Sequence, residues 1–180
     1  MLTILSLCDA TGTWSQPYAD AGYDVRRIDL GNGADVRLFQ ALPYPVRGVL
    51  AAPPCTEFAA SGARWWPGKD EQLLIDALAV VDACLRIIAV HQPQWWVLEN
   101  PVGRLRDYLG PPRMAFDPAD YGDPYTKRTL LWGQFREPAM RPVEAVEGSK
   151  MHRLPPSPDR AALRSVTPQG FARAFFEANP

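Results

Sequence analysis

Short β-rich runs alternate with helical stretches along this chain, and that alternation limits the fold more than any other feature of the sequence. TILSLC (3–8), YDVRRIDL (23–30), VRGVLAA (46–52), QWWVLEN (94–100) and RTLLWGQF (128–135) each read as one strand, bounded by glycine, proline or acidic turns. Between the third and fourth runs, Leu74, Leu78, Val81, Leu85 and Ile88 recur at helical spacing and predict a helix from about Glu71 to Val90. WSQPYADAG and GRLRDYLG predict short helices. TPQGFARAFFEAN predicts a closing helix with Thr167 as N-cap and Pro168 at its first position. Strands separated by helices build βαβ units, hence an α/β fold with a mostly parallel sheet and helices on both faces. Residues 111–126 and the proline-rich stretch 136–160 carry no such pattern and are expected to be irregular.

At 180 residues the chain fits one domain, and no apolar run approaches the ~18 residues of a membrane span. Cys8, Cys55 and Cys84 form neither an even set nor a CxxC pair, so neither a disulfide framework nor a metal site is expected. MLTILSLCDATG lacks a basic leader; no signal peptide and a cytoplasmic location with free thiols are expected. Residues 1–100 carry seven Lys/Arg against eleven Asp/Glu, residues 101–180 twelve against nine. A bound polyanion would therefore meet the second half of the chain, although ordinary solvated surface charge explains the bias equally well.

In a parallel α/β sheet, ligands bind beyond the carboxyl ends of the strands. DATGTW, PPCTEF and ENP each directly follow a strand, so they should converge on one edge. Gly12 in the first of these turns would let a nucleotide-like ligand approach the backbone closely. The second strand closes on Asp29, where an acid commonly holds ribose hydroxyls, though a capping acid has the same look. Asp35 fits an adenine contact or an ordinary turn. Pro53 and Pro54 stiffen the segment that carries Cys55 and would hold the thiol at the ligand edge; free cysteine is otherwise a frequent core filler. Glu99 follows WWVL, an apolar run that should desolvate its carboxyl and raise its pKa, leaving it able to donate a hydrogen bond to a ring nitrogen. A purely structural strand-end acid is the competing reading of Glu99. Asn100 and Pro101 would fix the turn that follows.

Pro54-Cys55-Thr56-Glu57-Phe58-Ala59-Ala60-Ser61-Gly62, followed about forty-five residues later by Glu99-Asn100-Pro101, resembles the paired motifs of the DNA (cytosine-5) methyltransferase family. YGDPYTKRTLLWGQF resembles that family's later arginine-bearing strand motif, with Arg128 at the arginine position, and the closing TPxGFARAF resembles short, phage-type members. The resemblance covers most of residues 3–135. It implies a Rossmann-like class I methyltransferase fold that binds S-adenosylmethionine and no metal. It also implies a catalytic set of Cys55, Glu99 and Arg128. Asp9, Gly12, Trp14, Asp29, Asp35 and Pro53 would meet the cofactor, and Pro54, Ser61, Asn100 and Pro101 the substrate. In the implied chemistry the Cys55 thiolate adds to C6 of cytosine, so that C5 can take the methyl group. Glu99 would bind N3 and the exocyclic amine, and Arg128 the base or an adjacent phosphate.

The chain departs from the family in two places. Residues 136–166 stand where a sizeable target-recognition region is usual, so residues 1–180 are expected to form one catalytic domain. Ala10-Thr11-Gly12-Thr13 stands where the opening motif is usually richer in glycine and begins with phenylalanine. The net charge of −1 also gives little grip on a phosphate backbone. Three functions stay open. One is a minimal DNA cytosine C5-methyltransferase whose specificity is low or supplied by a partner protein. The second is an enzyme acting on a free cytosine nucleotide (dCMP or CMP), its phosphate held by Arg104, Arg106, Lys127, Arg128 or Arg153. The third is an inactive methyltransferase-like subunit that binds a partner.

Overall fold

A computed structural model describes residues 1–158 and 160–180. Its strands are β1 (Thr3–Leu7), β2 (Asp24–Ile28), β3 (Gly48–Ala51), β4 (Trp95–Pro101), β5 (Met114–Phe116) and β6 (Thr129–Gln134), in the sheet order β2-β1-β3-β4-β6-β5. β1 to β4 run parallel, and β6 lies antiparallel between β4 and β5. Every residue of β1 and β3 is buried, because both faces of these strands are covered. That is why they read as unbroken apolar runs rather than alternating ones. At the edge, β2 turns Arg26 and Arg27 to solvent.

Successive strand residues point to opposite faces and divide the core in two. Ile4, Leu50, Val97 and Leu131 pack with Trp14, Tyr18, Phe171 and Phe175, the last four from α1 (Gln16–Asp20), its approach, and α5 (Gln169–Ala178). Leu5, Leu7, Val49, Ala51 and Leu98 pack with Val81, Cys84, Ile87 and Ile88 of α2 (Glu71–His91). On the first face Phe116 stacks on Phe171 with ring centroids 3.9 Å apart, and the Tyr18 hydroxyl donates to the Asn179 carbonyl at 2.9 Å. α2 starts at Asp70, whose carboxylate accepts the Gln72 amide at 2.9 Å, and stops at Gln92 in a left-handed turn (φ 45°) before Pro93. No helix among the described residues is long and apolar enough to cross a membrane.

Three expectations need correction. Residues 111–126 contain β5 and a 3-10 turn at Pro118–Tyr121, and a three-residue strand is too short to show alternation. The stretch 136–166 contains a 3-10 turn at Lys150–His152 and the helix α4 (Arg160–Ser165). Its proline-rich part is laced to the preceding loop: the Arg141, Val143 and Glu147 amides donate to the carbonyls of Asp120, Ala119 and Pro124, and the Thr126 amide donates to Gly148. Backbone polar groups are thereby satisfied without a ladder. Finally, α5 begins at Gln169, and the Thr167 side chain does not cap it. Asp123 takes that role from outside, accepting the Gly170 amide at 2.8 Å.

Candidate active site

Ile28, Leu7, Ala51 and Leu98 stand in register across the four parallel strands. The residues that follow each of them, Asp29, Cys8, Ala52 and Glu99, therefore form the next row, and the three polar motifs converge at this carboxyl edge.

The turn after β1 is built around Asp9. One carboxylate oxygen accepts the Gly12 amide at 3.0 Å; the other accepts the hydroxyls of Ser6 (2.9 Å) and Ser15 (2.8 Å) and the Ser15 amide (3.3 Å). Asp9 is buried with both oxygens occupied, so it shapes the turn rather than meeting a ligand. Trp14 is likewise displaced from its expected role, lying fully buried between Phe171 and Phe175. Gly12 adopts φ 72°, a conformation that favours glycine. Asp29 caps a 3-10 turn through one oxygen, which accepts the Gly31 amide at 2.7 Å; its second oxygen has no partner among the described residues. Asp35 is turned onto its neighbour Arg37, which grips it at 2.6 Å and holds its carboxyl below the usual range, so it is not free for an adenine.

The PPC and ENP motifs are tied directly together. The buried Asn100 side chain donates from Nδ2 to the Pro53 carbonyl at 2.9 Å, and its Oδ1 has no partner among the described residues. Pro53 is buried with its carbonyl engaged by Asn100, Pro54 is exposed, and Cys55 is half-buried. Beyond Cys55 the chain turns tightly, with the Phe58 and Ala59 amides donating to the Cys55 carbonyl at 2.9 and 2.8 Å. It is then stitched to the segment after β4: the Ala60 amide donates to Val102 at 2.8 Å, the Arg104 amide to Phe58 at 2.9 Å and the Arg104 Nε to Glu57 at 2.7 Å. Gly103 makes this approach feasible, since a Cβ there would overlap the Phe58 carbonyl. Sequence inspection gave Gly103 no role; only the pairing Ala59–Gly103 reveals it.

Burial pushes the Cys55 thiol pKa up and Glu99 adds to the rise, while Lys127 and Arg164 pull it down; the net shift is upward. Burial likewise raises Glu99, opposed by Lys127. Lys127 is the cation whose charge acts on both groups, although it makes no ion pair with Glu99 among the described residues; its Nζ donates to the Val166 carbonyl at 3.4 Å. Arg128, the expected cation, points away into an exposed ion pair with Asp117 at 3.3 Å. The Asp117 carboxylate also accepts the Lys127 amide, and neighbouring side chains of an extended segment leave in opposite directions. Arg164 comes from α4, inside the stretch expected to be irregular, and lies 3.5 Å from the exposed Ser61 hydroxyl. Asn100 and Pro101, expected to fix a turn after the strand, instead continue β4, paired with Leu130 and Thr129 of β6. Among the described residues, no group of three His, Cys, Asp or Glu could hold a metal ion.

No family model matches the chain. It is 30% identical over 124 residues to the "Probable DNA (cytosine-5)-methyltransferase" of Frog virus 3 (isolate Goorha). That match covers 63% of this chain and 56% of the viral protein, so the chain spans little more than half the length of this curated relative. Among solved structures, a "putative DNA modification methyltransferase" encoded within an E. coli prophage superposes with a TM-score of 0.56 over 80% of this chain and 53% of its own, at 18% identity. The fold is α/β and Rossmann-like, similar to that of this methyltransferase.

Proposed function

We propose that the chain is a single catalytic unit that methylates C5 of cytosine in DNA. The observation that carries this reading is the Asn100–Pro53 hydrogen bond, which ties the cysteine motif to the glutamate motif at the ligand edge of the sheet. The turn at Gly12 and the unengaged oxygen of Asp29 fit the backbone approach and ribose hydroxyls of S-adenosylmethionine. Bound there, that cofactor would supply an electrophilic methyl group. The Cys55 thiolate would bond to cytosine C6 as N3 takes a proton from Glu99; C5 could then accept the methyl with S-adenosylhomocysteine as leaving group, and loss of the C5 proton to a base, with return of the N3 proton, would expel the thiolate. Burial raises the Glu99 pKa, which favours the protonated carboxyl that would donate to N3 and hold the charge that develops on the ring. Protonating Glu99 also removes the negative charge that raises Cys55, so the two groups favour each other's working states. Lys127 takes the position assigned above to Arg128.

The laced stretch 136–166 replaces a recognition region, so sequence specificity is low or comes from a partner protein. In the second reading the substrate is a free cytosine nucleotide; it is favoured by the same stretch and by the net charge of −1. Incubation with labelled S-adenosylmethionine and duplex DNA, single-stranded DNA, dCMP or CMP discriminates between them. Label is expected on DNA, on single strands at least as much as on duplex, and falling steeply with salt. Label on the nucleotides alone would establish the second reading, and label on none would leave an inactive binding subunit.

Glu99→Gln separates catalysis from stability. The rate is expected to fall about 10²-fold, as for loss of one charge-stabilising donor. Because the folded-state pKa of Glu99 is raised, its favourable contribution is present at acid pH and lost as pH rises through that value. The glutamine variant should therefore melt higher than wild type at pH 8 and no higher at pH 4. Thermal unfolding at both values checks this, and a lower melting temperature at pH 8 would contradict it.

A further inference from the structure

The 3-10 stretch Ala60–Gly68, which follows the nucleophile turn, carries two adjacent tryptophans with opposite surroundings. Trp66 is tucked in, with the Arg104 guanidinium 4.5 Å above its ring and Arg104 itself anchored to the Glu57 carbonyl. Trp65 projects outward at 61% exposure, covered on one side by the Arg64 guanidinium at 4.7 Å. The core does not use Trp65, and the 3-10 stretch that carries it starts at the clamp around Gly103.

Charge on this face is positive although the chain as a whole is not. Glu57, the acid of the cysteine loop, is neutralised by Lys69 at 2.7 Å with Arg104 at 3.9 Å. Arg64, Lys127 and Arg164 have no carboxylate within ion-pair distance among the described residues. An exposed ring beside guanidinium groups free of carboxylates suits a nucleobase in a polyanionic strand, since any base offers a π-face. Arg164 reaches the same stretch, its guanidinium 3.5 Å from the Ser61 hydroxyl.

We propose that Arg64 and Trp65 form a stacking platform for a nucleobase adjoining the cytosine held at Cys55, so that the partner of this face is a DNA strand. The proposal rests on the reading that the Cys55 site binds cytosine. A lone nucleotide has no second base to place there.

The test compares binding of a ten-nucleotide single strand with one central cytosine against binding of dCMP, for wild type, Trp65→Ala and Trp65→Phe. Wild type should prefer the strand. Trp65→Ala should weaken strand binding roughly tenfold and Trp65→Phe should restore most of it, with S-adenosylmethionine affinity unchanged as the check on folding. Strand affinity unaltered in Trp65→Ala, or equal wild-type affinity for strand and dCMP, overturns the platform. Methyl transfer is read from the same samples. Its absence on both substrates would sink the methylation reading, while Trp65-dependent strand binding would still decide the platform.

Discussion

Replacing Cys55 with serine should abolish methyl transfer while leaving the fold and cofactor affinity close to wild type. A hydroxyl is nearly isosteric with the half-buried thiol, and neither the Asn100–Pro53 bond nor the turn at Cys55 uses the sulfur. A serine oxygen without an adjacent base is a far weaker nucleophile toward C6, and loss of a nucleophile typically removes roughly 10³-fold or more of the rate. The same assignment fixes a pH profile. Burial and Glu99 hold the Cys55 pKa above its ordinary value, so the thiolate fraction of the free enzyme should rise only on the alkaline side of ~8.5. Lys127 opposes that rise, so Lys127→Met should move the limb to still higher pH. Single-turnover rates over pH 6–10 test both points. A serine variant with more than a few per cent of wild-type rate would falsify the nucleophile assignment.

Gly103→Ala is expected to damage both stability and rate, although Gly103 has no chemistry of its own. The added methyl would overlap the Phe58 carbonyl and crowd the Ala60 amide, both backbone atoms that cannot swing aside. Forcing such an atom into a packed site typically costs about 1–3 kcal/mol, which for a chain of this size lowers the melting temperature by roughly 2–10 °C. The relaxation available is a shift of the whole Cys55 loop away from Glu99. A misplacement on the order of 1 Å can cost about 10²-fold in rate. Thermal unfolding together with rates measured well below the melting point separates the two effects. A destabilised variant with an unchanged rate would mean that the clamp does not position Cys55.

The sheet and its ligand edge were legible because β1, β3 and the start of β4 are apolar runs that give way abruptly at Asp9, Pro53 and Glu99, a pattern that the order of residues exposes. Helix α2 was legible from periodicity and from Gln92-Pro93 at its end. What stayed hidden depends on side-chain direction and distant partners. Nothing local says that Asp9 spends both oxygens on its own turn, that Trp14 faces the α5 rings, or that Arg128 pairs with Asp117. The cap of α5 was misread for the same reason. Thr167 and Pro168 read locally as the cap and first residue, yet Pro168 stands at the N-cap and Asp123 arrives from forty-seven residues away to satisfy the Gly170 amide. β5 was missed because three residues hold too little pattern.

The closing of one sheet face by α5 has a consequence for the order in which the protein is made. Ile4, Trp14, Tyr18, Leu50 and Trp95 lie within the first hundred residues, but the rings that cover them, Phe171 and Phe175, belong to residues 169–178. Synthesis at ~5–20 residues per second delivers the apolar face well before its cover. The opposite face is served early by α2, which leaves the ribosome between β3 and β4. The nascent chain is therefore one-sided: the α2 face lacks only Leu130 and Trp132 of β6 and nearby residues, while the other face is a bare aromatic surface that has to be kept from other chains until α5 arrives.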